Sequence, residues 1–203
     1  MSMSREVVYL VDDDEQILAG VATFLRDKHF EVRTFTNGLE FLKVFPLIQP
    51  SVVVLDMHMP ELSGLDIQQK LIELKNESPV FFLSGESKSQ QIIDALKGGA
   101  YEFFLKPVSP TVLLDALNRI FKAKRQEEQA IKDRLASDAL LEQLTPIEHE
   151  ILQLFLHGHS NKMVGAAMNL KADTIKKRRA QIYEKLQVEN LPGLINKFSH
   201  QLK

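Results

Sequence analysis

Five short runs of apolar, mostly β-branched or aromatic residues punctuate the first 121 residues, at 6–11, 31–35, 52–56, 80–84 and 101–106. Between them, apolar positions recur at helical spacing over 15–28, 38–45, 65–74 and 87–98, and a further helix opens near Pro110. An apolar run bounded by turn residues reads as a strand buried on both faces, as in a parallel sheet. The clearest case is Ser51-Val52-Val53-Val54-Leu55-Asp56, followed at once by Met57-His58-Met59-Pro60 and a Gly-containing turn. Fivefold alternation of strand and helix in this length predicts an α/β domain, a doubly wound parallel sheet with helices on both faces.

Pro110 suits the first turn of the fifth helix, with Ser109 as its cap. From Leu113 through Gln143 there is neither Gly nor Pro, so that helix is expected to continue as a charged, largely solvated linker over 122–143. A frayed linker is the alternative, because isolated helices rely on packing. Lys124 and Glu128 break the heptad that a self-associating coiled coil needs. The last 60 residues read as all-helical. Thr145-Pro146-Ile147-Glu148 combines a cap, a Pro at the first helical position and a Glu three residues after the cap, a capping box. Ile151, Leu152, Leu154, Phe155 and Leu156 give that helix a core stripe, and Gly158 ends it. Further helices are expected at Asn161 to Met168, Asp173 to Leu186 and Leu191 to Leu202.

Charge sharpens this division. The net charge of −2 splits into −6 over 1–121, 0 over 122–143 and +4 over 144–203. An acidic front and a basic back argue for two domains with different partners, the second a polyanion. With no cysteine, disulfides and thiolate metal sites are excluded. No apolar stretch approaches the ~20 residues of a membrane helix, and Met1 to Arg5 lack the apolar core of a secretory signal. A cytoplasmic location without membrane contact is expected.

In open α/β sheets, ligands bind outside the carboxyl ends of the strands. There the first strand delivers Asp12 and Asp13, the third Asp56, the fourth Ser84 and the fifth Lys106. Carboxylates crowded together call for a cation. Three carboxylates, one hydroxyl and one ammonium suit Mg²⁺ and a phosphoryl group, with a carboxylate as nucleophile. Asp14 and Glu15 read instead as solvated acids at a helix start.

Leu-Val-Asp-Asp-Asp at 10–14, Leu-Asp-Met-His-Met-Pro at 55–60, Leu-Ser-Gly at 83–85, Gly-Ala at 99–100 and Phe-Leu-Lys-Pro at 104–107 resemble the receiver domain of two-component response regulators. The resemblance covers 6–121 and implies a flavodoxin-like (βα)5 fold. It implies Asp56 as phospho-acceptor, fed by a sensor histidine kinase or phosphotransfer protein. Asp13 would then bind Mg²⁺ directly and Asp12 largely through water, with the His58 backbone carbonyl as a further ligand. Ser84 would grip the phosphoryl oxygens, Lys106 would pair with them, and Phe103 would be the aromatic switch. Lys106-Pro107 would be a cis peptide.

A helix, short turn and second helix after Gly158 form the minimal unit that presents a helix to a DNA groove. Leu144 to Leu152, Gly158 to Lys162, Thr174 to Lys176 and Lys185 to Val188 resemble the LuxR-type helix-turn-helix. Coupled to a receiver, this is the NarL/FixJ class. By position, Lys176 and Lys177 would approach bases or phosphates, Thr174, Arg178 and Arg179 the backbone, and Lys162 a phosphate. Leu191 to Phe198 would supply much of a dimer contact. Several positions depart from the family: Met163 stands for Glu, Gly165 for Ala, Lys171 for the Ser cap, and Ala180 for a longer polar residue.

The expected division is 1–121 receiver, 122–143 helical linker and 144–203 four-helix DNA-binding domain. The expected protein is a regulator of transcription rather than an enzyme, with Mg²⁺ as cofactor. Its expected partners are double-stranded DNA, RNA polymerase and, once phosphorylated, a second copy. A phosphohydrolase of the haloacid dehalogenase type is the enzymatic alternative, but its second Asp is His58 here. A tail that contacts protein is the other alternative.

Overall fold

The computed structural model describes residues 6–85 and 89–198. The chain forms two compact units, Met1–Gln126 and Glu127–Lys203. In the first, β1 (Val7–Val11), β2 (Glu31–Phe35), β3 (Ser51–Asp56), β4 (Val80–Ser84) and β5 (Glu102–Leu105) alternate with α1 (Glu15–Asp27), α2 (Gly38–Leu42), α3 (Gly64–Glu73) and α4 (Ser89–Lys97). The last helix, α5, spans Pro110–Leu141. All pairings are parallel, in the order β2-β1-β3-β4-β5. Strand order reverses beside β1, so a crevice is due at the carboxyl ends of β1 and β3.

Strand periodicity sorts the core into two layers. Val8, Leu10, Val52, Val54, Phe81 and Leu83 pack against Leu18 and Leu25 of α1 and Leu113, Leu117 and Phe121 of α5. Val7, Tyr9, Val53, Leu55 and Phe82 pack on the other side against Phe41, Ile67, Leu71 and Ala95. Each such side chain contributes about 1.5–3 kcal/mol when fully buried. The central strands β1, β3 and β4 are buried along their whole length, as continuous apolar runs require, whereas β2 and β5 are partly exposed.

Helix starts follow their caps. Asp14 caps α1 by accepting from the Gln16 and Ile17 amides at 2.8 and 3.1 Å, the helix-start role expected of it. Ser63 and Asp66 form a capping box on α3. The α2 helix ends at Leu42, three residues earlier than the expected 38–45. Of the helix expected over 87–98, residues 87 and 88 lie outside the described residues, as do Met1 to Arg5.

In the second unit, α6 (Pro146–Leu156), α7 (Asn161–Met168), α8 (Ala172–Lys185) and α9 (Leu191–Phe198) surround a core of Leu144, Ile151, Leu152, Phe155, Val164, Ile175, Ile182, Leu186, Leu194 and Phe198. The Thr145–Glu148 capping box forms as expected, and Gly158 follows α6 at φ +82°. Along α5, residues 125–136 are exposed, as a solvated linker requires, but Ser137 and Leu141 are buried, Leu141 within this core. The expected helix over Leu191 to Leu202 is described as far as Phe198, and 199–202 lie outside the described residues.

Candidate functional site

Three carboxylates converge at the crevice. One ligand oxygen from each of Asp12, Asp13 and Asp56 lies within 4.8 Å of the others. Asp12 and Asp13 follow the last residue of β1, and Asp56 ends β3, which is hydrogen-bonded to β1. Asp12 and Asp56 are buried, whereas Asp13 is exposed. Lys106, one residue past β5, places its Nζ 2.7 Å from Asp12 Oδ2 and 2.8 Å from Asp56 Oδ1. The remaining oxygens accept backbone amides, Asp12 Oδ1 from Asp14 at 3.0 Å and Asp56 Oδ2 from His58 at 3.1 Å.

Burial pushes the Asp12 carboxyl above its usual pKa, and Asp56 adds to this, although Lys106 and the Asp14 amide act in the opposite direction. Burial also disfavours the Lys106 ammonium, yet its hydrogen bonds to Asp12 and Asp56 outweigh that and hold it above the usual lysine value. A desolvated carboxylate with an acidic neighbour on each side lacks positive charge that one ammonium does not fully supply. All-oxygen donors with one exposed member, opening on a cavity of about 540 Å³, fit a hydrated Mg²⁺. Asp12, Asp13 and Asp56 are the side chains able to hold it.

Ser84 ends β4 and is wholly buried, while the next residue, Gly85, lines the cavity with Asp12, Asp13, Asp56, His58 and Lys106. Phe103 on β5 is half-buried and stacks on Phe82, with ring centroids 6.3 Å apart. Lys106-Pro107 is cis, as the resemblance implied. Two features escaped sequence reasoning. His58 is exposed, and its Nε2 meets the Gln91 side-chain amide at 3.1 Å, tying the loop after β3 to α4. Gly64 opens α3 so close to the site that a Cβ there lies 2.4 Å from the Asp56 carbonyl oxygen. The Gly after Asp56 that marked a turn thus also keeps space for the end of β3.

On the helical unit, the sequence-derived contacts divide. Lys162, Lys176 and Lys177 are exposed. Thr174, Arg178 and Arg179 are half-buried, and the Arg179 guanidinium lies over the rings of Phe155 and Tyr183 at 5.7 and 5.8 Å. Lys171 begins α8 without a side-chain cap bond, and Asp173 in the first turn is left to complement the helix dipole. Gly165 is buried where α7 turns toward α8, and a Cβ there lies 2.7 Å from the Leu170 carbonyl oxygen. Gly165 thus leaves room for the turn, which is closed by Asn169 at φ +53° and a 2.8 Å bond from the Leu170 amide to the Gly165 carbonyl oxygen. Leu194 and Phe198 of α9 are fully buried in their own domain, which leaves Pro192 and Asn196 as that helix's exposed residues.

The model of the response regulator receiver domain matches residues 8–118, and that of the bacterial regulatory proteins of the luxR family matches residues 142–198. Over 195 residues the chain is 31% identical to response regulator protein TmoT of Ectopseudomonas mendocina, covering 96% of this chain and 89% of that protein. It is 33% identical to the tetrathionate response regulatory protein TtrR of Salmonella typhimurium, over 94% of this chain and 91% of that one. The solved structure of response regulator StyR matches with a TM-score of 0.72 at 31% identity, over 97% of this chain and 100% of that chain. Full-length FixJ from B. japonicum matches with a TM-score of 0.61 at 25% identity, over 97% of each.

A receiver-type α/β unit followed by a helix-turn-helix unit is the class that fold, acidic edge and matches define. The chain belongs to the two-component response regulators of the NarL/FixJ type. Relatives of this kind are regulators of transcription and not enzymes, and the two domains imply a histidine kinase and DNA as partners. Receivers use Mg²⁺ at an acidic pocket of this kind. Among the described residues no helix is long and apolar enough to cross a membrane.

Proposed function

We propose that Asp56 accepts a phosphoryl group from a histidine kinase or phosphotransfer protein, and that this controls DNA binding by the helix-turn-helix unit. The observation that carries the reading is the Asp12–Asp13–Asp56 cluster bridged by Lys106. An Asp56 oxygen forms a bond to the donor's phosphorus as the donor's N–P bond breaks, and the electron pair stays on the imidazole nitrogen. Lys106 exchanges its contact with Asp56 for one with the phosphoryl oxygens, and the His58 amide keeps the carboxylate oriented. Asp12, Asp13, Asp56 and the His58 carbonyl would hold Mg²⁺, whose charge would neutralise that of the transferred anion.

Ser84 then turns toward the phosphoryl oxygens, and Phe103 moves into the space that this vacates. The face reshaped by that motion carries exposed Ile93 and Leu96 of α4, Tyr101 and Leu105 beside and on β5, and Val112 of α5. Exposed apolar side chains on these elements support pairing with a second copy. Two copies bring two α8 helices to two half-sites, and the gain comes from effective concentration. Lys162, Lys176 and Lys177 supply phosphate or base contacts, with Thr174 and Arg178 at the flanks, while Arg179 is held on the Phe155 and Tyr183 rings and braces α8. Double-stranded DNA, RNA polymerase and a cytoplasmic setting complete the reading.

Mass spectrometry of the full chain incubated with acetyl phosphate and Mg²⁺ tests it. The expected product carries one phosphoryl group on Asp56, absent from the Asp56→Asn variant and from chelator-treated protein. Equal labelling of that variant overturns the assignment.

A further inference from the structure

The outward face of α8 consists of Asp173, Lys176, Lys177, Ala180, Gln181 and Glu184, all exposed, opposite the buried Ile175 and Ile182. Arg179 is not on this face, because its guanidinium stacks on Phe155 and Tyr183. Two of the six side chains are acidic and repelled by phosphates, two are ammonium groups able to bind phosphate or guanine, and Ala180 has no polar atom. Gln181 is the neutral amide among them, with donors and an acceptor at one end. It lies one turn beyond Lys177, beside the short Ala180, on the exposed side of the helix.

A Gln amide in the major groove pairs bidentately with the N6 and N7 atoms of adenine. Resting on the DNA-binding reading above, we propose that Gln181 is the residue through which this chain specifies an adenine in each half-site, while Lys176 and Lys177 set affinity. The assignment differs from a basic-cluster reading, in which Lys176 to Arg179 do all the recognition.

The test is selection of sites from a randomised duplex pool by the full chain with beryllofluoride and Mg²⁺, followed by titration of the enriched sites. The expected wild-type site holds an adenine that Gln181→Ala no longer prefers, with discrimination at that pair falling roughly 5- to 150-fold. Gln181→Glu moves the preference toward cytosine, whose N4 amine a carboxylate accepts. Affinity for unrelated duplex and its salt dependence stay as in the wild type for Gln181→Ala, which also shows that the variant is folded. An unchanged preference matrix in Gln181→Ala, with a wild type that enriches a site, overturns this inference alone. A wild type that binds no duplex overturns the DNA-binding reading and this inference together.

Discussion

The acidic edge of the sheet and the basic face of α8 are both clusters of charge, but they are built in opposite ways. At the sheet edge, Asp12, Asp56 and Lys106 are buried or nearly so, and each is bonded to another at 2.7–2.8 Å. On α8, Lys176 and Lys177 stand in solvent, side by side. Buried charges are worth what their partners make them worth, so one removal exposes a large desolvation cost. Solvated charges act nearly independently and cost the fold little. Chemistry that stores a covalent group calls for the first arrangement. A surface that meets a polyanion calls for the second.

The sharpest break of this contrast is Lys106→Met. It strands Asp12 and Asp56 against each other, and about 3 kcal/mol of stability is expected to disappear in urea unfolding with chelator present. Adding Mg²⁺ recovers part of it, whereas Asp13→Asn, which removes repulsion, raises stability without Mg²⁺. Equal stability of the Lys106→Met protein and the wild type contradicts a coupled buried cluster.

Next is Gly165→Ala. By helix propensity Ala gains about 1 kcal/mol over Gly. Here its Cβ meets the Leu170 carbonyl oxygen at 2.7 Å, so the backbone of the turn has to move. A net loss of about 2 kcal/mol is expected in thermal unfolding, with duplex binding weakened as α8 shifts. A gain in stability shows that the turn yields freely.

Smaller effects separate two neighbouring cations. Arg179→Ala is expected to lose about 1 kcal/mol of stability through the two ring contacts, with little change in the salt dependence of duplex binding. Lys177→Ala does the reverse, leaving stability unchanged and lowering the salt slope by about 1.

The smallest effect lies at the start of α6. The Lys185 ammonium, 2.7 Å from Glu148 Oε2, together with the Thr145 amide, holds the Glu148 carboxyl below its ordinary pKa of 4.5. The folded value is the lower one, so this stabilisation is present above pH 4.5 and fades as pH falls through the folded value. Lys185 is about one-third exposed and screened, so roughly 0.5 kcal/mol is expected. Glu148→Gln should flatten the urea-midpoint profile in that window, and an unchanged profile refutes the assignment.

The sheet and its acid ends were legible because strand burial imposes a period and strand ends share one edge. Asp12, Asp13, Asp56 and Lys106 meet simply because β1, β3 and β5 are parallel. The capping box at Thr145 was local and equally legible. Contacts that depend on the phase of one helix against another element were not. His58 on Gln91, Arg179 on Phe155, and the burial of Leu194 and Phe198 all require knowing which face of a helix turns inward. Gly165 read only as a departure from Ala, because the Leu170 carbonyl oxygen beneath it is brought there by the turn.

Control of duplex binding by the acidic edge requires the two charge clusters to communicate. Duplex affinity of the full chain, measured with and without beryllofluoride plus Mg²⁺, tests this most directly. The expected result is binding roughly 5- to 150-fold tighter for the wild type, with no change for Asp56→Asn. Identical affinity under both conditions, or the same tightening in Asp56→Asn, contradicts control of the helix-turn-helix by Asp56.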